Sequence, residues 1–125
     1  MSPLFRRNEE KAARKAAARV EIDRLRGVPV ADLAAQLLAG LGPEGPTHGT
    51  SIRVQQLCEY LLREYPGAGQ MDVLNLSAPV TRALDMLDDA GLVSPISVTR
   101  SPVWRITPLG ESTLTEGNVR ERLRR

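Results

Sequence analysis

The chain has 125 residues, 42% of them hydrophobic and 26% charged, which is typical of one soluble globular domain with a short extension. Its single cysteine, Cys58, excludes an internal disulfide and a cysteine-based zinc site, and it suits a reducing cytosol. No apolar run approaches the roughly 20 residues that span a bilayer, and no signal-peptide pattern follows the basic N-terminus, so we expect a cytoplasmic protein without membrane contact.

The net charge of +2 is unevenly distributed. Residues 1–26 carry eight basic and four acidic side chains, a net charge of +4. Residues 27–110 carry five basic and eight acidic side chains (−3), and residues 111–125 carry four basic and three acidic side chains (+1). Because nucleic-acid affinity comes mainly from cations that meet phosphates, the ends of the chain hold the charge that could bind nucleic acid. Of the 17 basic residues, 15 are Arg and two are Lys, a composition that suggests a high-GC bacterial source.

The first predicted element is a helix from about Glu9 to Arg26. Asn8 is a suitable N-cap, and Gly27 is suited to the position that follows the last turn. Alanines fill the first two thirds of this helix, and its large apolar residues come near its end: Val20, Ile22 and Leu25. We therefore expect residues 1–27 to form a basic, alanine-rich helical arm whose first half projects from the body.

Residues 28–50 are predicted to form a short helix and a loop. The helix runs from about Val30 to Ala39, with leucines at helical spacing, and stops at Gly40. The Gly- and Pro-rich stretch 41–50 that follows is typical of a loop.

Residues 51–125 are predicted to form a winged-helix domain that ends in a helix and an Arg-rich tail. Ser51 would cap its first helix, whose apolar stripe ends before Pro66. That stripe comprises Ile52, Val54, Leu57, Cys58, Leu61, Leu62 and Tyr65. A short helix at about Gln70 to Asn75 follows, and then a helix capped by Ser77 and closed by Gly91. The buried face of this last helix is predicted to be Val80, Ala83, Leu84 and Leu87.

Two short strands, 92–98 and 103–107, then form a hairpin around a turn near residues 99–102. Thr107 and Pro108 are suited to the N-cap and first position of a closing helix, which would break at Gly117 before the Arg-rich end. The predicted fold class is therefore mainly α with a small β-hairpin wing: a winged helix-turn-helix with an N-terminal helical extension.

Two stretches of sequence resemble a known family. Residues 80–93 (VTRALDMLDDAGLV) and 104–110 (WRITPLG) resemble the recognition helix and wing of MarR- and PadR-type transcriptional regulators. The resemblance implies a DNA-binding fold, with the helix of residues 77–90 as the recognition helix. Winged helices also serve in complexes that never touch DNA, so function does not follow from the fold.

The candidate nucleic-acid-binding residues lie on three segments. On the recognition helix, Thr81 and Arg82 can contact bases or phosphates, whereas Asp88 and Asp89 would be repelled by phosphates. By family geometry, Arg100 at the tip of the wing and Arg105 on its strand would touch the backbone. On the arm, phosphate contacts would come from Arg6, Arg7, Lys11, Arg14 and Lys15. The alternative is a solvated arm with Glu10–Arg14 and Arg19–Asp23 ion pairs.

No catalytic or cofactor pattern is present. His48 is the single histidine, so neither a His-centred catalytic pair nor a multi-His metal site can form. Cys58 lies on an apolar stripe, as a core residue does, and no Gly-Lys-Ser/Thr motif follows the glycines of the loop. Asp85 and Asp89 lie one turn apart on an open face without further oxygen ligands. We therefore predict no enzyme activity, no cofactor and no metal.

Two functions from different classes stay open. The first is a DNA-binding transcriptional regulator that acts as a homodimer. The second is a protein–protein interaction module, in which the acidic winged helix docks on a basic partner and the basic arm provides a second anchor. The fold favours the first, and the charge of the central region favours the second.

Overall fold

The computed structural model describes residues 3–43, 45, 52–96 and 103–123, with side chains from Arg7 onward. The elements in chain order are α1 (Pro3–Gly27), α2 (Val30–Leu41), α3 (Val54–Leu61), α4 (Gln70–Asn75), α5 (Ser77–Asp89), β1 (Val93–Ile96), β2 (Val103–Ile106), α6 (Pro108–Glu116) and α7 (Val119–Leu123). The predicted fold class is confirmed: the protein is mainly helical, with a two-stranded hairpin after α5 and a helical extension before the domain.

Helix α1 is longer than predicted. It begins at Pro3, so Asn8 lies inside the helix and does not cap it. Proline is well tolerated at the first helical position because its missing N–H has no intrahelical partner there. Every side chain from Arg7 to Ala17 is exposed, whereas Ala18 is the first fully buried side chain of α1.

One hydrophobic core joins most of these elements. Helix α2 packs against α5, and the end of α1 contributes Ile22 and Leu25 to the same cluster. The predicted inward face of α5 is confirmed, since all four of its residues are fully buried: Val80, Ala83, Leu84 and Leu87. These packed leucines and valines fix the orientation of α5 and therefore decide which of its side chains face outward.

The prediction that Ile52 lies on the third helix was wrong. Its backbone N–H donates to the carbonyl oxygen of Trp104 at 3.0 Å, and its own carbonyl accepts from the Trp104 N–H at 2.6 Å. A β-branched residue suits such an extended bridge. Helix α3 starts two residues later, where the Arg53 N–H donates to Gln56 Oε1 at 2.9 Å. The predicted cap, Ser51, lies outside the described residues.

Strand β1 pairs with β2 in antiparallel register, with Ser94 opposite Arg105 and Pro95 opposite Trp104. Because Ile52 bridges Trp104 on the other edge of β2, this strand lies in the middle of a small three-segment sheet. The bridge ties the hairpin to the start of α3. The predicted turn near residues 99–102 lies outside the described residues.

The ends of α6 lie where the sequence predicted them, whereas the predicted N-cap of α5 does not. Ser77 is the first residue of α5 and does not cap it, because only the buried Leu76 separates α4 from α5. Thr107 caps α6 as predicted, since its hydroxyl oxygen accepts the Gly110 N–H at 3.0 Å. Gly117 ends α6 with φ of +73°, a left-handed conformation that glycine adopts without steric cost.

Candidate nucleic-acid interface

The outward face of α5 is acidic apart from one cation. Arg82, Asp85, Asp88 and Asp89 are all exposed, on the side opposite the buried leucines. Within the described part of the chain, Arg82 makes no hydrogen bond or ion pair. Its guanidinium is therefore available to a partner, next to three carboxylates that would repel a polyanion.

Thr81 is less available than the sequence suggested. Its hydroxyl donates a 2.8 Å hydrogen bond to the backbone carbonyl of Ser77, one turn earlier in α5. The single hydroxyl hydrogen of such a threonine is already used in this bond, so its oxygen can only accept a further hydrogen bond. Of the two predicted contact residues on α5, Arg82 is the one with free donors.

Leu123 at the end of α7 lies beside α5, a neighbourhood that the sequence did not predict. An open groove of about 350 Å³ separates them, and it is lined by Arg82, Asp85, Met86, Asp89, Ala90 and Leu123. An ion pair of 3.2 Å between Arg120 and Asp32 links α7 to α2. A signal was present in the sequence, because Val119 and Leu123 are spaced as on one face of a helix. Leu123 therefore lies at the edge of the exposed face of α5.

On the wing, Arg105 is exposed while its neighbour Trp104 is buried, as expected where side chains alternate along a strand. Arg105 makes no ion pair with any residue that the structure describes. The predicted tip residue, Arg100, lies outside the described residues.

The cations of the arm share one side of α1. Arg7, Lys11, Arg14 and Lys15 are all exposed, and the side chain of Arg6 lies outside the described part. Neither of the ion pairs that would hold a solvated arm is formed: Glu10 does not reach Arg14, and Arg19 does not reach Asp23. Among the described residues, none of these four cations makes an ion pair.

A polar contact and a close backbone approach hold α1 on the body. The Glu21 carboxylate accepts hydrogen bonds from Arg24 Nε at 3.0 and 3.1 Å and from the Tyr65 hydroxyl at 3.1 Å. The hydrogen bonds from Arg24, together with the one from Tyr65, hold the pKa of Glu21 below its ordinary value, although its burial opposes this. At Gly67, the chain passes so near the backbone of Arg14 that a Cβ would overlap it.

No metal-binding cluster is found in the described part of the chain: no three His, Cys, Asp or Glu side chains there are grouped to hold an ion. The predicted core role of Cys58 is confirmed, since the residue is fully buried and its burial raises the pKa of the thiol to about 11. His48 lies outside the described residues. Among the described helices, none has the length and apolar character that crossing a membrane requires.

No protein-family model, no curated protein and no solved structure matches this chain.

Proposed function

We propose that this chain is a winged-helix nucleic-acid-binding protein that acts as a small bacterial transcriptional regulator in the cytoplasm, as a homodimer. The observation that carries the proposal is the placement of two unpaired cations on the elements that a winged helix offers to DNA. Arg82 is exposed on α5, and Arg105 is exposed on the adjoining wing. A helix in the major groove needs such donors toward guanine, and the wing needs cations toward phosphate.

Two further features support the proposal. The resemblance of residues 80–93 and 104–110 to MarR- and PadR-type regulators implies the same docking elements. The cations of the arm supply charge that α5 lacks. In this function Arg82 contacts bases, Thr81 accepts a hydrogen bond, and Arg105 and Arg100 contact the backbone.

A second candidate is a protein-interaction module. The observation that favours it is the exposed carboxylate cluster of Asp85, Asp88 and Asp89 on the same face of α5. That face would dock on a basic protein, with the groove beside Leu123 taking an apolar side chain.

Binding to duplex DNA separates the two candidates. We expect Arg82→Ala to weaken binding to a selected preferred site by about 1–3 kcal/mol and to relax the sequence preference. Arg63→Ala removes the same charge from the turn just after α3, where Arg63 stacks on the ring of Tyr60 and donates to its carbonyl oxygen, and it serves as the control.

Replacing Asp88 and Asp89 by Asn should strengthen binding to random duplex if α5 faces DNA, because two repulsive charges are removed. If α5 instead docks a basic protein, the same change slows association with that protein and lowers its salt sensitivity. Absence of duplex binding by the wild type, even at low salt, would refute the regulator.

A further inference from the structure

The cations of the arm continue the line of residues that packs α1 on the body. With 100° per residue, positions 7, 11, 14, 18, 22 and 25 fall within an arc of about 80°. The C-terminal half of this line is buried, at Ala18, Ile22 and Leu25, and the N-terminal half is exposed, at Arg7, Lys11 and Arg14. One side of α1 therefore has two parts: its C-terminal part packs against the body, and its N-terminal part is exposed and basic.

The opposite side of α1 is not basic. Positions 9, 13, 16 and 20 lie about half a turn away from this line and are Glu, Ala, Ala and Val, all exposed. Of the two acidic residues in the first half of α1, Glu9 lies on the opposite side and Glu10 lies about 40° from Arg14, at the edge of the basic side. The exposed cations Arg7, Lys11, Arg14 and Lys15 nevertheless fall within an arc of about 100°, and this clustering suits the side to binding an anion.

The rotation of the arm is determined by the body. Helix α1 is continuous from Pro3 to Gly27, so its exposed turns keep the phase set by the packed turns. The Tyr65–Glu21 hydrogen bond and the backbone approach at Gly67 act on α1 near the point where it leaves the body. The basic side therefore points into the corner between the projecting helix and the turn that connects α3 to α4.

We propose that Arg7, Lys11, Arg14 and Lys15 form one rotationally fixed face that binds the phosphate backbone of a nucleic acid in this corner. The inference rests on the proposed function and adds a binding mode that does not depend on α5. Arg7 and Arg14 are about 10.5 Å apart along the helix axis, close to the rise of about three phosphates of one DNA strand.

A rod-shaped polyanion such as a nucleic-acid duplex fits this corner better than a planar anionic membrane does. Membrane-surface helices place several large apolar residues opposite their cations, and here the opposite side carries Glu9, two alanines and a single larger apolar residue, Val20. In addition, the basic side faces the body side of α1, so a planar surface approaching it would meet the body near Gly67.

Helical phasing tests the proposal without changing any charge. In the full-length chain, two alanines inserted between Ala16 and Ala17 rotate the basic side by about 200°, whereas four alanines rotate it by a net of about 40°. We expect the two-alanine variant to bind a short random-sequence duplex more weakly. Its slope of log K against log salt should fall by about 0.9 for each lost phosphate contact, up to about 3.6. The four-alanine variant should keep most of the wild-type slope, although its arm is longer.

The outcomes separate this inference from the proposed function. Equal duplex binding by the wild type and both variants would overturn the fixed face and leave the regulator intact. Absence of duplex binding by the wild type would overturn both. Equal phase-dependent binding to polyglutamate or to phosphatidylserine vesicles would overturn the assignment to nucleic acid. Circular dichroism and melting temperature of each variant establish that the body stays folded.

Discussion

The hydroxyl of Tyr65 donates a 3.1 Å hydrogen bond to the carboxylate of Glu21, and it thereby joins two residues that are 44 positions apart in the chain. Glu21 lies in the packed half of α1, and Tyr65 lies just after α3. Because Glu21 is charged and its side chain is 13% exposed, the bond acts where solvent screens it only in part. It contributes to the docking of the arm.

We therefore expect Glu21→Gln to lower the melting temperature at neutral pH, and Glu10→Gln, an exposed position of the same helix, to leave it nearly unchanged. The folded-state pKa of Glu21 lies below the ordinary value of 4.5. The contribution of Glu21 to the free energy of unfolding is consequently complete above pH 4.5. It is lost as the pH falls through the lower pKa of the folded state. In thermal melts, the melting temperature of Glu21→Gln should lie below that of the wild type by a constant amount above pH 4.5, and the difference should narrow below that pH. A difference that persists in acid would show that it does not come from the charge of Glu21.

Gly67→Ala should disturb the docking of the arm. A Cβ at this position would overlap the backbone of Arg14, which cannot move as a flexible side chain does. We expect the free energy of unfolding to fall by about 1–3 kcal/mol, the usual cost of forcing extra volume into a packed contact. Gly27→Ala is the control, since nothing lies within 4 Å of a Cβ there. Denaturant melts that show equal stability for both variants would mean that α1 does not rest on Gly67.

Leu84→Ala should cost about 2–5 kcal/mol in the free energy of unfolding, because it removes a fully buried side chain between α5 and its neighbours. Leu74→Ala provides the matched control: this leucine is 53% exposed on α4, and its truncation should cost under about 0.5 kcal/mol. Urea melts of the two variants measure the difference. A loss below about 1 kcal/mol at Leu84 would show that the packing of α5 is assigned to the wrong face.

Cys58 should be unreactive in the folded protein. Its side chain is fully buried, and desolvation raises the pKa of the thiol to about 11, so at pH 8 only about one thiol in a thousand is ionised. A disulfide reagent that releases a coloured thiolate should react with the denatured chain and leave the native chain unmodified over the same time. Rapid modification of the native protein would place Cys58 outside the core.

The local features of the fold were predictable from the sequence. The apolar spacing of α5, the short α4, and Thr107 and Gly117 at the ends of α6 each depend on a few neighbouring residues. Helical periodicity and capping are properties of such short segments, which is why composition and spacing sufficed to identify them.

The tertiary structure decided which predicted features meet in space. Ile52 belongs to an extended bridge because a strand 52 residues later offers it hydrogen bonds, a fact that no local pattern contains. The arrangement of α7 beside α5, and of Tyr65 beside Glu21, likewise joins distant parts of the chain. The charges of the arm were visible in the sequence, but their common direction follows from the packing of Ala18, Ile22 and Leu25. Burial of distant apolar side chains fixes the rotation of a helix, and that rotation determines which surface its charges form.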